Sequence, residues 1–169
     1  MQAREDFEPA DDAAERWMRE ALRAARAAAL MGEVPVGACV VSADGAPLSA
    51  AGNRTRADCD PTAHAEVLAL RVAARRAGYY RLTGAVVYST VEPCAMCAGA
   101  LVQARVARLV YGARDERAGA VESVFRVCDA APLNHRMELT AGVLGEECRA
   151  LMQEFFRERR KVSRPEGEG

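Results

Sequence analysis

The chain has 169 residues, half of them apolar, and a formal net charge of -1, which is enough for one domain burying roughly two thirds of its unfolded surface. That balance excludes a chain that coats nucleic acid through global charge, but it leaves room for a local basic patch. Arginine supplies 22 of the 23 basic residues, a compositional bias that carries no functional meaning by number alone.

The amino-terminal stretch "MQAREDFEPADD" is acidic and lacks the apolar centre of a secretory leader or the arginine-rich amphipathic pattern of a transit peptide. No apolar run reaches the ~18 residues of a membrane span, so a soluble cytoplasmic protein without a membrane partner is expected. From Asp12 to Met31, apolar side chains at Trp17, Met18, Ala21, Leu22, Ala25 and Ala29 recur every three or four residues and predict an amphipathic helix. "VPVGACVVSADGAPLSAAGN" reads as a hairpin, with β-branched residues leading to an Asp44-Gly45 turn. Asp60-Pro61 and Gly78 bracket a second helix, from about Pro61 to Ala77. "GAVVYST" is a strand, Cys94 to Arg105 a helix and "ARLVYG" a strand. "MELTAGVL" is a short last strand, Glu146 to Val162 a closing helix, and the tail 163–169 is expected to be disordered. Strands that alternate with helices after an opening hairpin predict a three-layer α/β/α sandwich on a central mixed five-stranded sheet.

Two short motifs carry chemistry, and both fall where strands end and helices begin, the place such sheets bind ligands. Cys94 and Cys97 in "VEPCAMC" are three apart on a helix, so their sulfurs share a face. His64 in "PTAHAEV" can supply a third ligand. Two thiolates and an imidazole suit zinc and leave its fourth tetrahedral position open, the arrangement of a catalytic site. Glu66 is harder to place, because residues two apart in an ideal helix point about 200° from each other. A carboxylate that nonetheless reaches the metal's edge can take and pass on a proton. Two other readings stay open: Cys59 completing a closed structural site, and an unrelated redox pair. The remaining cysteines, Cys39 among them, read as buried thiols.

The pairing of HAE with PCAMC is the H-x-E…P-C-x-x-C signature of zinc nucleobase deaminases. The chain resembles the tRNA-specific adenosine deaminases of bacteria along nearly its whole length, through "EVPVGA" at Glu33, "GNR" at Gly52, "DPTAHAE" at Asp60, "YRL" at Tyr80, "EPCAMCAGA" at Glu92, "YGARD" at Tyr111, "LNHRMELTAGVL" at Leu133 and "FFRERR" at Phe155. The resemblance implies a cytidine deaminase-like domain spanning 1–162, one zinc per chain on His64, Cys94 and Cys97, and Glu66 as proton shuttle. It implies that Asn53, the Ala65 backbone and Asp115 meet the target nucleoside and its neighbours. It further implies that Asn134, Phe156 and nearby basic residues, Arg157, Arg160 and Lys161 among them, hold the anticodon loop. A homodimer converting the wobble adenosine of an arginine tRNA to inosine, with release of ammonia, is the implied function. Two positions depart from the pattern: Glu122 where glycine is usual, and Cys59 where histidine or another polar residue is common.

Two rival functions remain at this level. A deaminase of free cytosine, guanine or a nucleoside would share every catalytic residue. A noncatalytic zinc-braced subunit would have no need of Glu66. The closing helix speaks for a polynucleotide, since Arg149, Gln153, Phe156, Arg160 and Arg164 are spaced to line one helical face, while Leu151, Met152 and Phe155 are expected to pack on the core.

Overall fold

A computed structural model describes residues 10–162. In chain order the elements are α1 (Ala10–Leu30), β1 (Gly37–Val41), β2 (Pro47–Gly52), α2 (Ala65–Ala77), β3 (Val86–Val91), α3 (Ala95–Gln103), β4 (Arg108–Ala113), β5 (Glu138–Ala141) and α4 (Gly145–Val162). The strands form one five-stranded sheet in the order β2-β1-β3-β4-β5. Strand β1 is antiparallel to both β2 and β3, whereas β3, β4 and β5 are parallel. The mixed sheet and the three layers are as the order of elements predicts. The predicted tail at 163–169, with Arg164, lies outside the described residues.

Alternation along the strands separates two cores. Val40, Val87, Leu109 and Tyr111 face one side and pack with Ala69, Leu70 and Ala73 of α2 and Leu101 of α3. Cys39, Val41, Tyr88 and Val110 face the other, against Met18, Ala21 and Leu22 of α1 and Cys148 of α4. Strands buried on both faces read as unbroken apolar runs, which is why "ACVV" and "VVYSTV" show little polar alternation.

Helix α1 lies unusually close to the hairpin. Gly37 and Gly52 are direct register partners across β1 and β2, and a Cβ at Gly37 would fall 1.9 Å from the Ala21 carbonyl oxygen. One at Gly52 would fall 2.5 Å from the Ala24 carbonyl oxygen. Backbone sits against backbone there, so no side chain can yield. Gly37→Ala is therefore expected to destabilise the fold by about 3 kcal/mol or more, the upper end of overpacking costs, read as a lowered urea midpoint at unchanged slope.

The helix starts differ from the sequence expectation in one consequential way. Helix α2 begins at Ala65, not Pro61, and His64 is its N-cap in an extended conformation, φ -76° and ψ 148°. Asp60 does not cap a helix at Pro61. Its Oδ1 instead accepts hydrogen bonds from the Thr62 amide at 2.8 Å and hydroxyl at 2.7 Å, closing a local turn. Cys94 is likewise the extended N-cap of α3. Both helices thus aim their first turns at the ends of the sheet's central strands.

Candidate active site

Placing His64 outside α2 resolves the 200° difficulty. The extended residue is free of helical periodicity, so its imidazole and the Glu66 side chain can turn toward the same point. Nδ1 of His64 lies 3.6 Å from the Cys94 sulfur and 3.5 Å from the Cys97 sulfur. The three ligand atoms all lie within 4.8 Å of one another. Zinc bound at its usual Zn–N and Zn–S lengths with tetrahedral angles places nitrogen and sulfur about 3.6 Å apart, so the donor set fits the ion as it stands. Cys59 takes no part. It is exposed, its φ is +49°, and its thiol faces the Arg56 carbonyl oxygen at 3.8 Å. A three-ligand, open site remains.

The electrostatics agree with metal ligation. Hydrogen bonding from Cys97 and from His64 pushes the Cys94 thiol down to about 3, while the same contact with Cys94, together with burial, pushes Cys97 up. Contact with Cys94 raises His64. The Cys94 thiolate is the charge a cation would meet. Glu66 is 3 % exposed, and burial raises its carboxyl above the usual range. Its Oε2 accepts from the Cys97 thiol at 3.5 Å and its Oε1 from the Ser89 hydroxyl at 3.3 Å. A buried carboxyl beside a metal position suits proton transfer.

A cavity of about 590 Å³ opens over this cluster. His64, Glu66 and Cys94 line it, as do Asn53, Asp115 and Phe156. Asn53 accepts from the Ala65 amide through Oδ1 at 2.8 Å, so the Asn53 side chain caps the start of α2 at Ala65, which is itself buried. Oδ1 of Asp115 accepts from the Arg117 and Ala118 amides at 3.0 and 3.1 Å. Asn134 lies elsewhere, held by Arg105 at 2.7 Å, and Arg157, Arg160 and Lys161 continue α4 past the lining residues. A second cavity, about 660 Å³, lies at the ends of β4 and β5 beside the start of α4. It shares Arg114 and Arg149 with the first but none of the metal-ligand residues.

Helix α4 differs in part from expectation. Arg149, Gln153 and Phe156 share the cavity wall as their spacing predicts, but Met152 joins them there instead of packing on the core. Residue 152 falls between 149 and 156 at helical steps of three and four, so it shares their face. Sequence reasoning also passed over Arg114, Arg117, Glu33 and Glu92. The two glutamates had a signal: each is a lone charge between apolar residues and proline at a strand boundary, in "GEVPV" and "VEPC". Both are buried, at 1 % and 2 % exposure. Glu33 accepts from the Arg56 and Ala57 amides, at 3.0 and 2.8 Å, and from the Thr55 hydroxyl at 3.2 Å. Glu122 is accommodated without breaking its loop, because its carboxylate accepts from the Tyr111 hydroxyl and pairs with Arg114 at 3.2 Å.

A buried carboxylate, an imidazole and two thiols at the carboxyl ends of a mixed sheet define a zinc-dependent deaminase of the cytidine deaminase-like fold. Residues 11–113 match the cytidine and deoxycytidylate deaminase zinc-binding region. A tRNA-specific adenosine deaminase of Haemophilus influenzae is 43% identical over 152 residues, covering 90% of this chain and 88% of that protein. The solved structure of one of the tRNA:A34 deaminases, described with A-to-I editing at the wobble position, superposes with a TM-score of 0.78 at 43% identity, covering 80% of this chain and 98% of that one. The guanine deaminase of Nitrosomonas europaea is more distant, with a TM-score of 0.69 at 28% identity over 83% of each chain. The chain belongs to the tRNA-specific adenosine deaminase family, within the zinc-binding cytidine and deoxycytidylate deaminases.

Proposed function

We propose that this protein hydrolyses the wobble adenosine of a tRNA anticodon, an arginine tRNA by family resemblance, to inosine and ammonia. The observation that carries the reading is the shared wall: Phe156, Arg149 and Gln153 of α4 border the same cavity as His64, Cys94 and Glu66. Phe156 is 41 % exposed, and an exposed ring within a basic helix offers an unpaired base a stacking surface. A free base needs no such rim.

When bound, zinc makes a water acidic enough to ionise near neutral pH. Glu66 is placed to take the proton that this releases, carry it to a ring nitrogen of the adenine, and hand a proton to the C6 amino group as it leaves as ammonia. Asn53 presents its Nδ2 hydrogens to the nucleoside, since Oδ1 is held by Ala65. Asp115 has its second carboxylate oxygen for a hydroxyl of the target or a neighbouring nucleotide. Asn134, Arg157, Arg160 and Lys161 stand outside the cavity lining and hold the remainder of the loop. The target base must leave its stack to reach the cavity floor, which an anticodon loop permits at low cost.

Residues 1–162 act as one domain in this reading, in the cytoplasm and as a homodimer. Among the described residues no helix is long and apolar enough to cross a membrane. Met96 on α3 and Val124, Phe125 and Leu133 in the β4–β5 connection are exposed apolar side chains of the kind a second copy covers, and sedimentation will report the assembly.

Incubation with a tRNA anticodon stem-loop and separately with free adenine, guanine and cytosine, scored for inosine and ammonia, tests the substrate. Turnover of a free base with no inosine in the stem-loop would reverse it. Replacing Arg157, Arg160 and Lys161 together by alanine is expected to weaken tRNA binding and to flatten its log-log salt dependence by roughly 2, at about 0.7 per lost phosphate contact. Zinc content and melting temperature are expected to hold. An unchanged slope would make these side chains solvated surface.

A further inference from the structure

Glu92 is the first residue beyond β3 and stands two positions before Cys94. Its two oxygens collect five donors. Oε1 accepts from three successive amides, Val121 at 3.1 Å, Glu122 at 2.7 Å and Ser123 at 2.9 Å. Oε2 accepts from the Asp115 amide at 3.1 Å and the Ser123 hydroxyl at 2.5 Å. All five come from the connection after β4, the segment that brings Asp115, Glu116, Arg117 and Ala118 to the cavity wall. The backbone reinforces the clamp, with the Ala120 amide on the Pro93 carbonyl at 2.8 Å and a bridge between Cys94 and Gly119.

The fit excludes substitutes. A Cβ at Gly119 would fall 2.4 Å from Cδ and 2.5 Å from Oε2 of Glu92, so the carboxylate occupies the space a side chain would need. An ionised carboxylate is acceptor-only and matches five converging donors. Glutamine has one acceptor oxygen and would turn an N–H toward other N–H groups. A loop that needed only generic packing would not require an acceptor of this capacity.

We propose that Glu92 is a positioning residue that fixes the Asp115 wall relative to the metal-ligand end of the cavity, and so sets how the nucleotide is seated. The proposal rests on the reading that Asp115 meets the substrate. The segment bearing Cys94 and Cys97 thereby also gauges the opposite wall. Glu66 and the three ligands are anchored by the starts of α2 and α3, so loosening the wall disturbs binding more than chemistry.

The zinc-loaded protein, Glu92→Gln, Asp115→Ala and the double variant are compared on an anticodon stem-loop, with zinc measured in each. Glu92→Gln is expected to keep about one zinc per chain and to raise KM roughly 10- to 100-fold while kcat falls less than about threefold. The double variant is expected to lie within about threefold of the worse single one, because both act through one wall. Wild-type KM in Glu92→Gln beside an impaired Asp115→Ala overturns the proposal alone. Wild-type kinetics in Asp115→Ala overturn it together with the Asp115 reading. A loss confined to kcat with depleted zinc assigns Glu92 to the metal end and rejects the proposal, as does full additivity. Should Glu92→Gln not fold, Ser123→Ala removes one donor and is expected to give a smaller KM rise coupled to Asp115→Ala; wild-type KM there also rejects it.

Discussion

Glu66→Ala is expected to lose at least 10²- to 10⁴-fold in single-turnover rate, the usual contribution of a general acid/base group. The loss should reach the upper part of that range, because in the proposed mechanism one carboxylate serves both the incoming water and the departing amine. Zinc content should be retained, since Glu66 is not among the three atoms gathered for the ion. Stability should hold or rise: the carboxyl is buried with a raised pKa, and its removal takes away a desolvated polar group. Glu66→Gln is expected to behave alike in rate. Rapid-quench inosine formation on a stem-loop decides the matter, and near wild-type rates in either variant would move the proton shuttle elsewhere.

Cys97→Ala is expected to have the other large effect. The thiol is fully buried and lies 3.5 Å from both His64 Nδ1 and Glu66 Oε2, so its loss leaves two ligands and an unfilled pocket. Metal analysis should give well under one zinc per chain, with turnover lost in parallel. Cys59→Ala, by contrast, is expected to leave zinc unchanged, because Cys59 is exposed and outside the ligand group. Full occupancy in Cys97→Ala would overturn the ligand assignment.

The sheet and its helices were legible because apolar periodicity is a local property. The β-branched runs "ACVV" and "AVVYST" read as strands, and Gly78, at φ 72°, ends α2 as the sequence bracket predicts. Cys94 and Cys97 were legible through their spacing, although Cys94 proves to be the extended N-cap before α3 and not a helical residue, and the full ligand set through the family motif. What escaped was set by contacts distant in sequence. Pro61 looked like a first-turn proline, but Asp60 satisfies Thr62 locally and delays the helix to Ala65, an outcome of competing hydrogen bonds no periodicity encodes. Met152 looked like core because it is apolar, yet the wall across from it is a cavity. Glu33 and Glu92 could be flagged as charges in apolar company, but their partners lie more than twenty residues away.

The bond from the Ala65 amide to Asn53 has a further consequence. A backbone N–H can only donate, so the oxygen of Asn53 must face it and the side-chain amide cannot flip. With that bond made, Asn53 keeps its two Nδ2 hydrogens and one Oδ1 lone pair for other partners. On the proposed reading of Asn53 as a nucleoside contact, an accepting edge or sugar oxygen meets those two hydrogens. The start of α2 and the orientation of the Asn53 amide at the cavity wall are thus settled by a single hydrogen bond.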